Sequence, residues 1–343
     1  MAEHTQSGLL AKVISGHHLS SAEAHWAFGR IMAGEWTEAQ IAALLAALAA
    51  KGECVEEFTG AAQAMRDHVV PVIAGDVPVV DTCGTGGTGI STFNISTTAA
   101  LVAAGAGAKV AKHGNRTNTR ASGSANVLAE LGVNIEADPA VEARCLAEAG
   151  VCFSFAVRHH PAMKYAVPVR KQLGVRTIFN VLGPLTNPAG ARRQLMGVPT
   201  DDLTEMLAGV LLALGALRAM VVHSADGLDE ISTTAEARVS ELAGGHVQTR
   251  TIDAARLLGL PRGRLEDLLI DSPEASAAVI RAVLSGKKGP ARDIVLVNAA
   301  AALVVADLAG DLPAGAALAA QGIDSGKAAA ALESLIRISN SAG

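Results

Sequence analysis

Aromatic residues make up only 3% of this 343-residue chain, which leaves few rings on which nucleic-acid bases could stack. Charge of one sign is not in excess either. The 28 Lys and Arg against 33 Asp and Glu give a net charge of −5, which lacks the basic balance of a general nucleic-acid binder. The four cysteines, Cys54, Cys83, Cys145 and Cys152, are scattered with no CxxC pair. They read as reduced thiols, not as a disulfide frame or a zinc site. Residues 1–19 hold no apolar segment with a cleavage site of the secretory kind. The most apolar run, 206–222, is broken by Arg218 and contains two glycines. It is too interrupted to span a bilayer and reads as a buried helix followed by a strand over 219–222. These absences together predict a cytoplasmic protein with no nucleic-acid and no membrane partner.

Half of the residues are hydrophobic, enough for a sizeable core in one large domain or two ordinary ones. Residues 1–70 read as wholly helical. Ser20 to Glu23 has the pattern of a capping start for a helix running to about Gly34. Thr37 caps the next helix, with Ile41, Leu44, Leu45 and Leu48 on one face, and Lys51-Gly52 ends it. A third helix covers about 54–69, and Pro71 and Gly75 mark a boundary. Beyond residue 76 short apolar runs at 77–80, 109–111, 151–154 and 219–222 alternate with Ala/Leu-rich helices. That alternation predicts an α/β fold with a mostly parallel sheet, in which ligands gather at the carboxyl ends of the strands. The Ala-rich segment 298–306 fits a buried helix.

The richest feature is the loop Asp81-Thr82-Cys83-Gly84-Thr85-Gly86-Gly87-Thr88-Gly89, placed between a strand and the helix entered through Asn94, Ile95, Ser96 and Thr97. Glycines bring backbone N–H groups close to a ligand, and the helix start adds free donors and the positive end of a dipole. The combination predicts an anion site of the phosphate-binding kind. No neighbouring residue activates Cys83 as a nucleophile, so it reads as a small loop residue. A second loop, Lys112-His113-Gly114-Asn115-Arg116, follows a strand and carries charge-assisted donors around a glycine; Ser122-Gly123-Ser124 adds a second possible nest. A third loop, 226–230, ends in the adjacent carboxylates Asp229 and Glu230. Such a pair is either simply solvated or holds Mg²⁺ beside phosphates. Arg170 lies on a helix, where it is a surface cation or a carboxylate partner. Gly183-Pro184 and Asn187-Pro188 make a rigid turn. His159-His160-Pro161 has no partners at metal-ligand spacing and reads as a loop or pocket wall.

In this order the loops resemble anthranilate phosphoribosyltransferases over nearly the whole chain. The matching stretches are Gly84–Gly87, Asn94–Thr97, Lys112–Arg116, Ser122–Ser124, His160–Lys164, Arg176–Asn180, Gly183–Pro188 and Asp229-Glu230. The resemblance implies a small all-helical N-terminal domain, residues 1–72, hinged to a larger α/β domain, residues 73–343, with helices near 164–182 joining the small domain in space. It implies transfer of phosphoribose from phosphoribosyl pyrophosphate (PRPP) to the amino group of anthranilate, a step towards tryptophan, by a homodimer joined through its helical domains.

By the same resemblance PRPP would be bound by Gly84, Thr85, Gly86, Gly87, Thr92, Asn94, Ser96, Thr97, Lys112, His113, Gly114, Asn115 and Ser124. Anthranilate would be bound by Asn115 and Arg170, with Gly84, His113, His160 and Pro184 lining its path. The cofactor Mg²⁺ would be held by Ser96, Asp229 and Glu230. No general base is assigned. Three positions depart from the family pattern: Thr88 stands where Asp is usual, Arg120 where a small hydroxyl residue is common, and Asn126 where Asp is frequent. Arg120 is expected to contact phosphate or to face solvent. Two rival readings accompany this one. A pyrimidine nucleoside phosphorylase of the same fold would carry a different segment at Lys112–Arg116 and lack the Asp-Glu pair. A non-catalytic paralogue that binds nucleic acid would show a basic groove and eroded substrate loops.

Overall fold

The computed structural model describes residues 4–117 and 120–341. The chain opens with four helices, α1 (Gln6–Ile14), α2 (Ser21–Met32), α3 (Glu38–Lys51) and α4 (Val55–Asp67). Local chemistry sets their ends. Ser20 Oγ accepts from Glu23 N and the Glu23 carboxylate accepts from Ser20 N, a reciprocal cap. Thr37 and Gln40 do the same for α3. Gly52 closes α3 at φ +86°, a conformation that favours glycine. Ile41, Leu44, Leu45 and Leu48 form the buried stripe of α3.

Seven strands follow: β1 (Val80–Asp81), β2 (Val110–Gly114), β3 (Val151–Phe155), β4 (Arg193–Gly197), β5 (Arg218–Ser224), β6 (Ala237–Ala243) and β7 (His246–Ile252). They form one sheet in the order β3-β2-β1-β4-β5-β6-β7. The first five run parallel, and β6 and β7 extend the sheet antiparallel. The β6–β7 ribbon is an element the sequence reading omitted. The burial of β7 alternates along an edge that is half solvated, a weaker signal than the continuous apolar runs of the central strands.

Two boundaries differ from expectation in ways that matter. The strand expected at 77–80 shortens to Val80–Asp81, since Pro78 has no N–H for a ladder. The strand expected at 109–111 runs on to Gly114, pairing Lys112 with Phe153, His113 with Ser154 and Gly114 with Phe155. Lys112 and His113 therefore stand on the sheet rather than in the loop after it. The run 206–222 resolves into a helix, Asp202–Ala213, followed by β5.

The two faces of the sheet have separate cores. Leu195, Met220 and Val222 face α5 (Ile95–Gly105) and the buried helix Pro290–Val305. Met196, Ala219 and Val221 belong to the other core, which holds the helix Asp202–Ala213 and continues into α1–α4. That alternation is the period-two geometry of a strand. The same second core takes in Val169, Phe179 and Leu182, so residues of the 164–182 region pack with the N-terminal helices.

Candidate active site

The segments that follow β1, β2, β3 and β5 open into a cavity of about 950 Å³, near the upper end of the range for small-molecule sites. The sheet forms its floor, and α4, the helix Val167–Leu173 and the segment 176–184 face it from the helical side. Each loop is placed by a specific contact. Thr85 N donates to Gly197 O at 2.9 Å, which seats the glycine loop on the end of β4. Gly197 has no room for a side chain, because a Cβ there would overlap the carbonyl of Asp229. Gly86 and Gly87 have φ of +67° and +93°, which lets the loop turn tightly. The loop passes into α5, whose Ser96 N donates to Glu230 Oε1 at 3.1 Å. A carboxylate therefore already sits at the donor end of this helix.

Lys112 is buried on β2. Its Nζ donates to Thr82 O at 2.8 Å and lies 3.4 Å from both Thr82 Oγ1 and Ser96 Oγ. Asp81 below it is buried too, receives His113 N and Asn187 Nδ2, and is pushed up to about 6 by desolvation. Asn94 is held by two hydroxyls, with Ser122 and Ser276 both donating to its Oδ1 at 2.8 Å. Asp229 and Glu230 lie side by side in the cavity wall. Burial, and then the neighbouring Asp229, raise the Glu230 carboxyl well above the ordinary carboxylate range. Ser96, Asp229 and Glu230 offer only oxygen donors. That fits a hard divalent cation such as Mg²⁺.

The same cavity is lined by Arg170, Asn115, His113, His160 and Pro184. The Arg170 guanidinium lies 5.6 Å from the centre of the Phe179 ring, a cation–π contact that leaves its hydrogen-bond donors free. His113 Nδ1 is 3.0 Å from Gly183 O. A carbonyl only accepts, so that nitrogen carries the proton. His113 Nε2 then accepts from His160 Nε2, 3.3 Å away. Burial first, then mutual repulsion, lowers His113 well below 6.5. Burial, then His159, lowers His160 to about 4. The pair is neutral at pH 7.

Most of the residues predicted from sequence meet in this cavity, but several do not play the expected part. Thr92 and Thr97 do not line it. Thr92 bridges to Leu269, and Thr97 turns its hydroxyl into the protein, where it is buried without a hydrogen-bond partner. Arg120 neither faces solvent nor waits for phosphate alone, since it donates to Asp229 Oδ2 at 2.7 Å. Asn126 does a neutral job: its Oδ1 accepts from Thr117 N and Gly123 N. The Thr88 hydroxyl accepts from Ile90 N within its own turn. The two adjacent histidines have separate roles, because His159 points away from the cavity to Glu142 and Val70. Cys83 lines the wall with its thiol pushed up by burial, a poor nucleophile. Residues the sequence reading gave no role include Arg176, whose guanidinium covers Gly87, together with Asp81 and Ser276. Each acts on a residue remote in sequence, so no local pattern marks it.

The chain matches two family models, one described as glycosyl transferase family, helical bundle domain, over residues 7–69, and one as glycosyl transferase family, a/b domain, over residues 76–329. It is 53% identical to the anthranilate phosphoribosyltransferase of Moorella thermoacetica, over 95% of this chain and 96% of the relative. Among solved structures, that of the Thermus thermophilus enzyme of the same name superposes with a TM-score of 0.92 at 41% identity, covering 97% of this chain and 99% of the other. The Saccharomyces cerevisiae enzyme, solved in complex with PRPP and Mg, superposes with a TM-score of 0.89 at 28% identity over 99% of both chains.

Proposed function

The chain belongs to the anthranilate phosphoribosyltransferase family, and from that membership we propose that it transfers 5-phosphoribose from PRPP to the amino group of anthranilate. The products are N-(5-phosphoribosyl)anthranilate and pyrophosphate, in the route to tryptophan. The observation that carries this reading is the lining of the large cavity. It combines a backbone-amide cradle, Lys112 and the Asp229-Glu230 pair with Arg170 and Asn115.

The bond between the anomeric carbon and pyrophosphate breaks as the bond to the aryl nitrogen forms. Charge grows on the departing diphosphate. The N–H groups of Gly84, Gly86 and Gly87 are preorganised to receive it, and Lys112 adds a cation fixed by the sheet. Asn94 and Ser124 bind the remainder of PRPP. When bound, Mg²⁺ neutralises diphosphate oxygens and lowers the barrier to their departure; Ser96, Asp229 and Glu230 would hold it. Asn115 and Arg170 clamp the anthranilate carboxylate, aiming the amine across the cavity. An aryl amine is already neutral at pH 7, so nothing need deprotonate it before attack, and its proton leaves to water afterwards. His113 and His160 wall this path as neutral dipoles, which do not compete with Arg170 for the anion. Much of the rate then comes from alignment, a contribution that reaches about 7–11 kcal/mol in well-oriented cases.

The division into residues 1–72 and 73–343, with 164–182 joining the first, is supported by the core that Val169 and Phe179 share with α1–α4. The homodimer through the helical domain is supported by the exposed Ile14 on α1, and sedimentation analysis tests it. A cytoplasmic location is supported by four free cysteines and by the lack of any helix, among the described residues, long and apolar enough to cross a membrane. The decisive experiment incubates the protein with PRPP, Mg²⁺ and anthranilate and follows loss of anthranilate fluorescence. No turnover by folded protein would sink the reading. Turnover with phosphate and a pyrimidine nucleoside instead would favour the phosphorylase.

A further inference from the structure

Arg120 is the one cation hydrogen-bonded to either carboxylate of the Asp229-Glu230 pair among the described residues. Lys112, the other buried cation nearby, directs its hydrogen bonds to Thr82 and Ser96 instead. The Arg120 side chain is 20% exposed and that of Asp229 8%, so the ion pair lies in the cavity wall, not on an open surface. The guanidinium also lies across the glycine loop, with Nη2 3.9 Å from where a Cβ on Gly86 would sit. It thus bridges the carboxylate loop and the diphosphate cradle. A guanidinium has five N–H donors, and the bond to Asp229 uses only Nη2. Arg120 lines the cavity, and the fork of its remaining donors suits phosphate oxygens.

A divalent ion that sought Asp229 Oδ2 would have to displace this guanidinium. Mg²⁺ needs ligands at about 2.0–2.1 Å in near-octahedral array, and a fixed positive charge beside it would repel it. Glu230 and Ser96 are not engaged by Arg120. We propose that Arg120 is a built-in cation at the diphosphate: it holds Asp229 Oδ2 and contacts the diphosphate directly, so that Ser96, Glu230 and the other Asp229 oxygen serve one divalent ion and no carboxylate remains for a second. Thr88 is consistent with this arrangement, since its neutral hydroxyl adds no further carboxylate for a second ion. The proposal rests on the reading of the cavity as a PRPP site.

The test counts metal ions without turnover. Mn²⁺ bound per chain in the presence of saturating pyrophosphate is measured by electron paramagnetic resonance for the full chain, Arg120→Ser and Arg120→Lys. The expected result is one Mn²⁺ for the wild type and for Arg120→Lys, and two for Arg120→Ser. Pyrophosphate affinity of Arg120→Ser at low Mn²⁺ is expected to fall by about tenfold or more, the size of one charge-assisted hydrogen bond, and to recover as Mn²⁺ is raised. Two Mn²⁺ in the wild type, or one in a folded Arg120→Ser, would overturn the role of Arg120 while leaving the PRPP reading intact. Failure of the wild type to bind pyrophosphate at all would overturn both.

Discussion

Arg170 and Asp229 divide the chemistry of the cavity between them at the level of single side chains. Among the described residues the Arg170 guanidinium has no hydrogen-bonding partner to lose, and its contact is the face of Phe179. Arg170→Ala is therefore expected to leave the fold intact and to raise the KM for anthranilate by about ten- to a hundredfold, the range of a charge-assisted bond. Asp229→Asn is expected to weaken use of Mg²⁺ and PRPP instead. Steady-state kinetics with each substrate varied in turn checks the division, and a reversed pattern would break the assignment of the two residues. The raised carboxyl of Glu230 adds a pH effect of known sign. A carboxyl that burial keeps protonated must release its proton when a cation takes its place. Mg²⁺ binding should therefore release protons near neutral pH and tighten as pH rises. Calorimetry in buffers of different ionisation enthalpy measures this directly, and buffer-independent heats would contradict it.

Secondary-structure elements deliver these side chains, and the delivery depends on close backbone approach. The end of β4 is the tightest point, where Gly197 meets the Asp229 carbonyl and receives Thr85 N. Gly197→Ala is expected to cost about 1–3 kcal/mol of stability by overpacking and to reduce kcat/KM more than Arg170→Ala does. It moves both the glycine loop and the carboxylate loop. Denaturant midpoints and kinetics on the same preparation test this, and a variant with wild-type kinetics would show that the contact is slack. Some of this scale was readable in the sequence. The caps at Ser20 and Thr37 and the stripe of α3 depend only on residues three or four apart, and the structure forms them as expected. The length of β2 was not readable. Lys112 and His113 are polar, and only pairing with Phe153 and Ser154 makes them strand.

At the scale of the whole molecule, His159 joins segments that are far apart in the chain. Its Nδ1 lies 2.7 Å from Val70 O, in the segment leaving α4, and its Nε2 lies 2.8 Å from Glu142 Oε1. Both partners accept, so both ring nitrogens carry protons and the imidazole is charged. Burial alone would lower its pKa; the hydrogen bond and charge of Glu142 outweigh that and raise it above 6.5. A histidine with a raised folded pKa stabilises fully below its unfolded value and loses that contribution as pH rises through the folded one. Stability to urea is therefore expected to decline above about pH 6.5, and His159→Gln should flatten the decline. A wild-type profile that rises through this window would refute the clamp.

Composition, helix caps, the order of the loops and their family likeness follow from the sequence alone, because each depends on residue type and short spacing. Which loops share one cavity was decided by the tertiary structure. It set Arg120 against Asp229, separated His159 from His160, and turned Thr97 inward. Those outcomes depend on which distant groups occupy the same buried volume, where each polar atom must find a partner or stay unsatisfied. Spacing along a chain carries no record of that competition.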